Sequence, residues 1–155
     1  MPYKRILVPV DGSEPANAAL AEAIRVARAT GGELRLLHVV EQQILSSMPD
    51  AAMLTNQLVE ALEAAGNELL RGGAQEAANA GVGADSVRVE GRARRVSEVI
   101  VEQAAAWPAD LVVMGTHGRR GLDHLLLGSD AERVARSVSV PLLLVRAPHR
   151  AQHGS

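Results

Sequence analysis

A glycine-rich segment in the last third of the chain has the residue types of an anion-binding loop. It reads Gly115-Thr116-His117-Gly118, followed after nine residues by Gly128-Ser129. Glycine at the end of a strand lets backbone N–H groups approach a ligand, and a helix starting near Ser129 would add N–H groups and the positive end of its dipole. The spacing therefore predicts an anion-binding site. From the same residues, the alternative is that the glycines only make turns and that Ser129 only caps the helix.

Charged side chains flank this segment, and each has two interpretations. His117 could contact a phosphate or be solvated, and Arg119 and Arg120 could clamp a phosphate or form ordinary surface charge. Asp130 could repel phosphates, help to hold a divalent cation, or complement the positive end of the helix. Because no second histidine or carboxylate stands at ligand spacing from His117, we expect no metal site made by protein groups alone.

Hydrophobic periodicity predicts the elements that would position this segment. Apolar runs indicate five strands, at residues 6–10, 34–40, 86–90, 111–114 and 142–145. Apolar residues spaced three and four apart indicate four helices between the strands. The first helix has Pro15 in its first turn and ends at Gly31-Gly32. The second helix runs from an N-cap at Asp50 to about Ala80. The third helix stops near Trp107-Pro108. The apolar stripe of the second helix is Leu54, Leu58, Leu62 and Leu69, and it is interrupted by Gly66 and Gly72-Gly73. The apolar stripe of the fourth helix is Ala131, Val134, Ala135 and Val138.

Alternating strands and helices are typical of an α/β fold with an open parallel sheet and helices on both faces, similar to the Rossmann fold. A chain of 155 residues suits one domain, which we assign to residues 1–148, with a loose tail at 149–155. The connection before the fourth helix is about fourteen residues long. Connections of that length are usually functional or disordered.

Composition excludes several classes of function. The net charge of −2 and the 1% aromatic content leave neither a basic field nor stacking rings for nucleic acid. No apolar segment is long enough for a membrane span, and the absence of cysteine suits a reducing compartment, so we expect a cytoplasmic location. The single lysine, Lys4, precedes the first strand, so no P-loop GxxxxGK motif exists. The turn after that strand reads DGSEP, which excludes a GxGxxG dinucleotide site, and no GxSxG nucleophile elbow occurs.

Four segments of the chain resemble the universal stress protein family, in its ATP-binding branch. They are KRILVPVDGSE, LLHVV, ADLVVMGTHGRRG and LLLGSDAERVARSVSVPLLLV. The resemblance implies a sheet of strand order 3-2-1-4-5, and it implies that the glycine segment binds the ribose and phosphates of ATP. It also implies that Asp11 lies at the adenosine end, although an aspartate before Gly-Ser is also an ordinary loop cap. Val39 would pair with the adenine edge through its main chain. The implied nucleotide-binding residues are Pro9, Val10, Asp11, Val39, Met114, Gly115, Thr116, His117, Gly118, Gly128, Ser129 and Asp130.

The resemblance further implies ATP as ligand, with Mg²⁺ or Mn²⁺ held by its phosphates, and a homodimer formed through the last strand. That strand consists of Leu142, Leu143, Leu144 and Val145, an apolar edge that would be an aggregation hazard if left unpaired.

Three functions remain open from the sequence. The chain is a regulatory module of the stress response that binds ATP as a switch, a slow ATPase using Asp130, His117 and Asp123, or an interaction protein with a vestigial nucleotide site. With Tyr3 and Trp107 as the only aromatic residues, adenine would be held by main-chain hydrogen bonds and aliphatic walls.

Overall fold

The computed structural model describes residues 2–41, 52–117 and 127–148. Within these ranges strands and helices alternate along the chain, as the periodicity predicts. Asp50 and the predicted tail lie outside the described residues, and the single-domain assignment stays a prediction. The elements are β1 (Arg5–Pro9), α1 (Glu14–Thr30), β2 (Glu33–Val40), α2 (Ala52–Asn79), β3 (Ala84–Glu90), α3 (Val96–Ala106), β4 (Leu111–Gly115), α4 (Ser129–Ser137) and β5 (Leu142–Val145).

The five strands form one parallel sheet in the order β3-β2-β1-β4-β5, which confirms the expected topology. The central strand β1 pairs with β2 through Pro9 and Leu37 and with β4 through Leu7 and Val112. Because all strands run the same way, the carboxyl ends of β1, β2 and β4 meet at one edge of the sheet. The crossovers from β1 and β4 lead to opposite sides of the strand order, so a crevice is expected between their ends.

Two apolar cores lie on the two faces of the sheet, as expected for helices on both sides. On one face, α1 and α2 cover alternate residues of the strands, including Ile6, Val8 and Leu36. On the other face, α3 and α4 cover Leu7 and Val112 together with their neighbours. The alternation follows from the twofold repeat of a strand, and it explains why the buried strands read as continuous apolar runs.

Local signals set both ends of α1. The hydroxyl of Ser13 accepts a hydrogen bond from the amide of Ala16 at 3.2 Å, which caps the helix, and Pro15 lies in the first turn. Gly31 ends the helix in the left-handed conformation with φ of 70°. Glycine adopts this conformation without a steric penalty, so the predicted stop at Gly31-Gly32 is confirmed.

Helix α2 continues through the glycines that interrupt its pattern, and its buried face differs from the predicted leucine stripe. Leu58, Leu62 and Leu69 are only half-buried, whereas Leu70 and Ala77 are buried. Gly66 and Gly73 are also buried on this inner face, where the helix backbone approaches β2. The prediction was wrong because it assigned Leu69 to the inner face, where the next residue, Leu70, is buried instead. The close approach to β2 also places glycine and alanine on that face. The side chain of Leu54 lies outside the described part of the chain.

The stripe of α4 is shorter than predicted. Ala131 and Val134 are buried, but Ala135 is exposed and Val138 forms the half-buried C-cap. With nine residues, the helix brings only these two positions of the predicted stripe fully into the core.

Candidate functional site

The two halves of the predicted glycine motif come together at the carboxyl edge of the sheet. The amide of Gly128 donates to the carbonyl of Thr116 at 2.7 Å, and the amide of Thr116 donates to the carbonyl of Val145 at 3.0 Å. The chain therefore leaves β4 and returns at the same point before it enters α4. Gly118, Arg119, Arg120 and Asp123 lie outside the described residues.

Helix α4 begins without a capping side chain. Gly128 is its N-cap, with φ of −61° and ψ of 154°, and its carbonyl accepts the first helical hydrogen bond from Glu132 at 3.0 Å. Ser129 is the first helical residue and is exposed, so the alternative that its hydroxyl is the helix cap is wrong. Because glycine supplies no side-chain acceptor, the N–H groups of the first turn remain suited to water or an anion.

Asp130 lies within this first turn, together with Glu132. Carboxylates in that position stabilise a helix by complementing the positive end of its dipole. This placement agrees with the third interpretation of Asp130, as a favourable charge at the helix start.

Thr116 and His117 form a polar pair at the end of β4. Thr116 is buried, with 6% of its surface exposed. Its hydroxyl lies 3.0 Å from Nδ1 of His117. Nε2 of His117 is buried and has no hydrogen-bond partner among the described residues. If the hydroxyl donates to Nδ1, the proton of the neutral ring is on Nε2, which is then a donor without an acceptor. A buried nitrogen of this kind fits a ligand that brings an oxygen atom to it.

Asp11 shapes the turn between β1 and α1. Its Oδ1 accepts a hydrogen bond from the amide of Ser13 at 2.9 Å, and the intervening Gly12 has φ of 82°. An aspartate that bonds the amide two residues on is an Asx turn, so the loop-cap interpretation of Asp11 is confirmed. The role at the ribose stays a prediction.

Packing against α1 explains why position 115 is a glycine. A Cβ at this position would lie 2.7 Å from the carbonyl carbon and the Cβ of Pro15, and 2.9 Å from the Pro15 oxygen. The last residue of β4 thus touches the first turn of α1 with no room for a side chain. The first glycine of the motif is therefore required for packing, whatever it also does for a ligand.

The remaining predicted residues differ in how they could contribute to a site. Val10 and Met114 are buried at 7% and 6% exposure, so their side chains belong to the two cores. Pro9 and Val39 are half-buried, at or near the ends of β1 and β2. Val39 is next to the last residue of its strand, where a backbone contact to a ligand is possible without a special side chain.

One residue of this edge was missed by sequence reasoning. His38 is buried at 6% exposure, and its Nδ1 lies 2.8 Å from the carbonyl oxygen of Val10. The available signal was a single polar residue inside the apolar run LLHVV. Its partner lies 28 residues away and is a backbone atom, so no side-chain pattern could reveal it.

The opposite edge of the sheet carries the tryptophan. The guanidinium groups of Arg5 and Arg35 each lie 4.8 Å from a ring centroid of Trp107, near the start of β1 and β2. Arg35 also donates two hydrogen bonds to Asp85, at 2.9 and 2.8 Å. These bonds lower the pKa of Asp85 and raise that of Arg35. The ring is therefore engaged far from the glycine motif.

The described residues offer neither a cluster of metal ligands nor a helix suited to a membrane span. They contain no group of three or more histidine, cysteine, aspartate or glutamate side chains that could hold a metal ion. None of their helices combines the length and the apolar character needed to cross a membrane.

Comparisons with known proteins agree with this architecture. The model of the universal stress protein family matches residues 2–146. A universal stress protein of Methanocaldococcus jannaschii is 35% identical over 148 residues, which cover 96% of this chain and 85% of the relative. The solved structure of the hypothetical protein MJ0577 superposes with a TM-score of 0.82 at 28% identity, covering 97% of this chain and all 100% of the other.

A further solved structure is a universal stress protein in complex with cAMP. It is 26% identical, has a TM-score of 0.66, and the match covers 95% of this chain and 99% of that one. The family model, the sequence relative and the fold lead to the same assignment over nearly the whole chain. The chain belongs to the universal stress protein family.

Proposed function

We propose that this chain binds an adenine nucleotide in the crevice between β1 and β4 and acts as a nucleotide-dependent regulatory module of the stress response. The observation that carries the proposal is the hydrogen bond from the Gly128 amide to the Thr116 carbonyl at 2.7 Å. It joins the uncapped start of α4 to the end of β4, beside the turn that contains Asp11. The cAMP complex of a related universal stress protein supports an adenine nucleotide as the ligand.

ATP fits the chemistry of the groups at this edge. The first-turn N–H groups of α4, the exposed hydroxyl of Ser129 and Nε2 of His117 would hold its phosphates. The carboxylate of Asp11 would accept from the ribose hydroxyls, and the main chain of Val39 would pair with adenine. The described residues offer no ligand cluster for a divalent cation, so Mg²⁺ or Mn²⁺ would enter with the phosphates.

Calorimetric titration of the purified protein with ATP, ADP, AMP and cAMP tests this proposal. Gly128→Glu places a carboxylate at the uncapped helix start and is expected to weaken ATP binding at least about tenfold through repulsion and steric overlap. Gly72→Glu is the matched control, since Gly72 is exposed and a Cβ there would meet nothing within 4 Å. Equal affinity in all three proteins, or no nucleotide binding by the folded wild type, would refute the proposal.

The same variants address hydrolysis. We propose binding without catalysis, so phosphate release from ATP should be the same in wild type and in Gly128→Glu. A reproducible excess in the wild type would favour the slow ATPase instead. The cysteine-free composition suits a reducing compartment, and we propose the cytoplasm as the site of action.

We also propose that the protein is a homodimer through β5. Leu142, Leu143, Leu144 and Val145 are all half-buried, and β5 pairs only with β4 in the described sheet. A second copy of the chain would cover this apolar edge. Because the amide of Thr116 donates to the carbonyl of Val145, nucleotide bound near Thr116 would alter the contact between the two copies. Sedimentation velocity should show a dimer at micromolar concentration, and a monomer there would contradict this assignment.

A further inference from the structure

His38 lies where β2 passes the end of β1, on the face of the sheet covered by α2. Leu34, Leu36 and His38 alternate along β2, and all three are buried. We propose that His38 is a positioning residue of the nucleotide site, which holds the backbone at Val10 and thereby fixes where Asp11 begins its turn. This inference rests on the proposed function.

The hydrogen bonds at Val10 define what His38 holds. A carbonyl oxygen can only accept, so the 2.8 Å contact between it and Nδ1 of His38 requires the proton on Nδ1. The amide of Val10 donates to the carbonyl of Leu37, also at 2.8 Å. Both polar backbone groups of Val10 are thus tied to β2, one residue beyond the last residue of β1.

The position of Val10 decides the direction of the next residues. The Asx turn of Asp11, the left-handed Gly12 and the start of α1 follow directly. Without a donor from His38, the buried carbonyl of Val10 would have no hydrogen bond from that side chain. A buried carbonyl without a hydrogen bond lowers the stability of the folded state. We expect the backbone to shift to find another donor, and Asp11 to shift with it.

Helix α2 holds the other side of the imidazole ring. A Cβ on Gly66 would lie 2.5 Å from Cδ2 and 2.9 Å from Nε2 of His38. The helix backbone therefore packs directly on the ring edge opposite Nδ1, and only glycine leaves the space. Glycine inside a helix is less stable than alanine. At position 66 the lack of space beside the ring outweighs that cost.

Three substitutions of His38 separate positioning from burial. Asparagine can place its side-chain N–H where Nδ1 of histidine lies, whereas leucine fills the site without a donor. Glutamine extends its amide toward the place of Nε2. We expect His38→Asn to bind ATP within about threefold of wild type, and His38→Leu and His38→Gln to bind about tenfold more weakly.

The test combines calorimetric titration with ATP, urea denaturation, and amide chemical shifts of Asp11 and Gly12. His38→Leu should shift these two amides, and His38→Asn should leave them near their wild-type values. Wild-type affinity in His38→Leu would overturn the inference. If His38→Leu fails to fold, equal affinities of His38→Asn and His38→Gln would overturn it instead.

Gly66→Ala tests the packing of the ring. In the wild-type background the new methyl meets Cδ2 and Nε2, and we expect the affinity for ATP to fall. In the His38→Ala background the whole ring is absent, so the same substitution should cause no further loss of affinity. Equal losses in both backgrounds would overturn the role of Gly66.

If the wild type binds no nucleotide, the proposed function fails, whereas binding that is insensitive to His38 leaves the proposed function intact and refutes only the positioning role.

Discussion

Replacing Gly115 with alanine places a methyl group against the first turn of α1. The new Cβ would lie 2.7 Å from two carbon atoms of Pro15, one of them backbone. Ordinary carbon contacts begin near 3.4 Å, so β4 and α1 must separate by about 0.7 Å or more. Neither side can yield by rotating a flexible side chain, because the proline ring and the strand backbone are both rigid.

The magnitude follows from what α1 covers. The helix buries Ala16, Ala19, Leu20, Ala23, Ile24 and Ala27 against the sheet, and a displacement loosens these contacts. Overpacking a close contact costs about 1–3 kcal/mol, and alanine recovers about 0.4–1 kcal/mol by restricting the unfolded chain. We expect a net loss of about 1–2 kcal/mol in the free energy of unfolding, which lowers Tm by about 2–8 °C for a chain of this size.

Urea denaturation followed by circular dichroism measures this loss, with Gly72→Ala as the matched control. Gly72 is exposed within α2 and a Cβ there would meet nothing within 4 Å, so alanine should stabilise the protein by about 0.5–1 kcal/mol. If Gly115→Ala unfolds at the wild-type urea concentration and loses only ATP binding, the packing explanation of Gly115 is wrong and the glycine serves the ligand alone.

Further substitutions test other contacts. Ser13→Ala removes the cap on the Ala16 amide and should destabilise the protein by about 1 kcal/mol in urea denaturation; no change would mean that water replaces the cap. Trp107→Ala empties a site that is 7% exposed and should cost about 3–5 kcal/mol in the same assay, and a loss below about 1 kcal/mol would contradict its place in the core. Because Arg35 lowers the pKa of Asp85, the pair stabilises the fold above the ordinary carboxyl pKa of 3.8, and this contribution is lost as the pH falls through the lower folded value. The urea midpoint of wild type should therefore fall more steeply than that of Asp85→Asn below about pH 4, and parallel curves would show that the pair contributes nothing.

Local patterns predicted the elements because their signals are local. The expected strands at 6–10 and 34–40 are observed as Arg5–Pro9 and Glu33–Val40, within one residue at each end. The start of β3 was placed two residues late, since Ala84 and Asp85 lack a strong apolar alternation. The expected end of α3 near Trp107 is also observed, because a proline follows and disfavours helix in the residue before it.

The candidate site was predicted in its residue types but not in its contacts. The glycine motif predicted that β4 and the start of α4 form one site, and the bond between Thr116 and Gly128 agrees with that prediction. His38 was not singled out, because its partner is the Val10 carbonyl and because a histidine in a strand carries no distinctive spacing. The alternative in which Ser129 caps α4 is wrong by one residue, since Gly128 is the N-cap and contributes no side chain.

The sequence by itself determined the alternation of strands and helices and the ends of α1, because hydrophobic period and caps depend on residues within a few positions of one another. Only the tertiary structure decided which glycines are required. A Cβ on Gly115 would meet Pro15 and one on Gly66 would meet His38, whereas one on Gly72 would meet nothing within 4 Å, yet the three are the same residue type. The physical reason is that the atoms that approach Gly115 and Gly66 come from residues far from each of them in the chain. The site at the carboxyl edge depends on such approaches, and it exists only once the sheet has brought the ends of β1, β2 and β4 together.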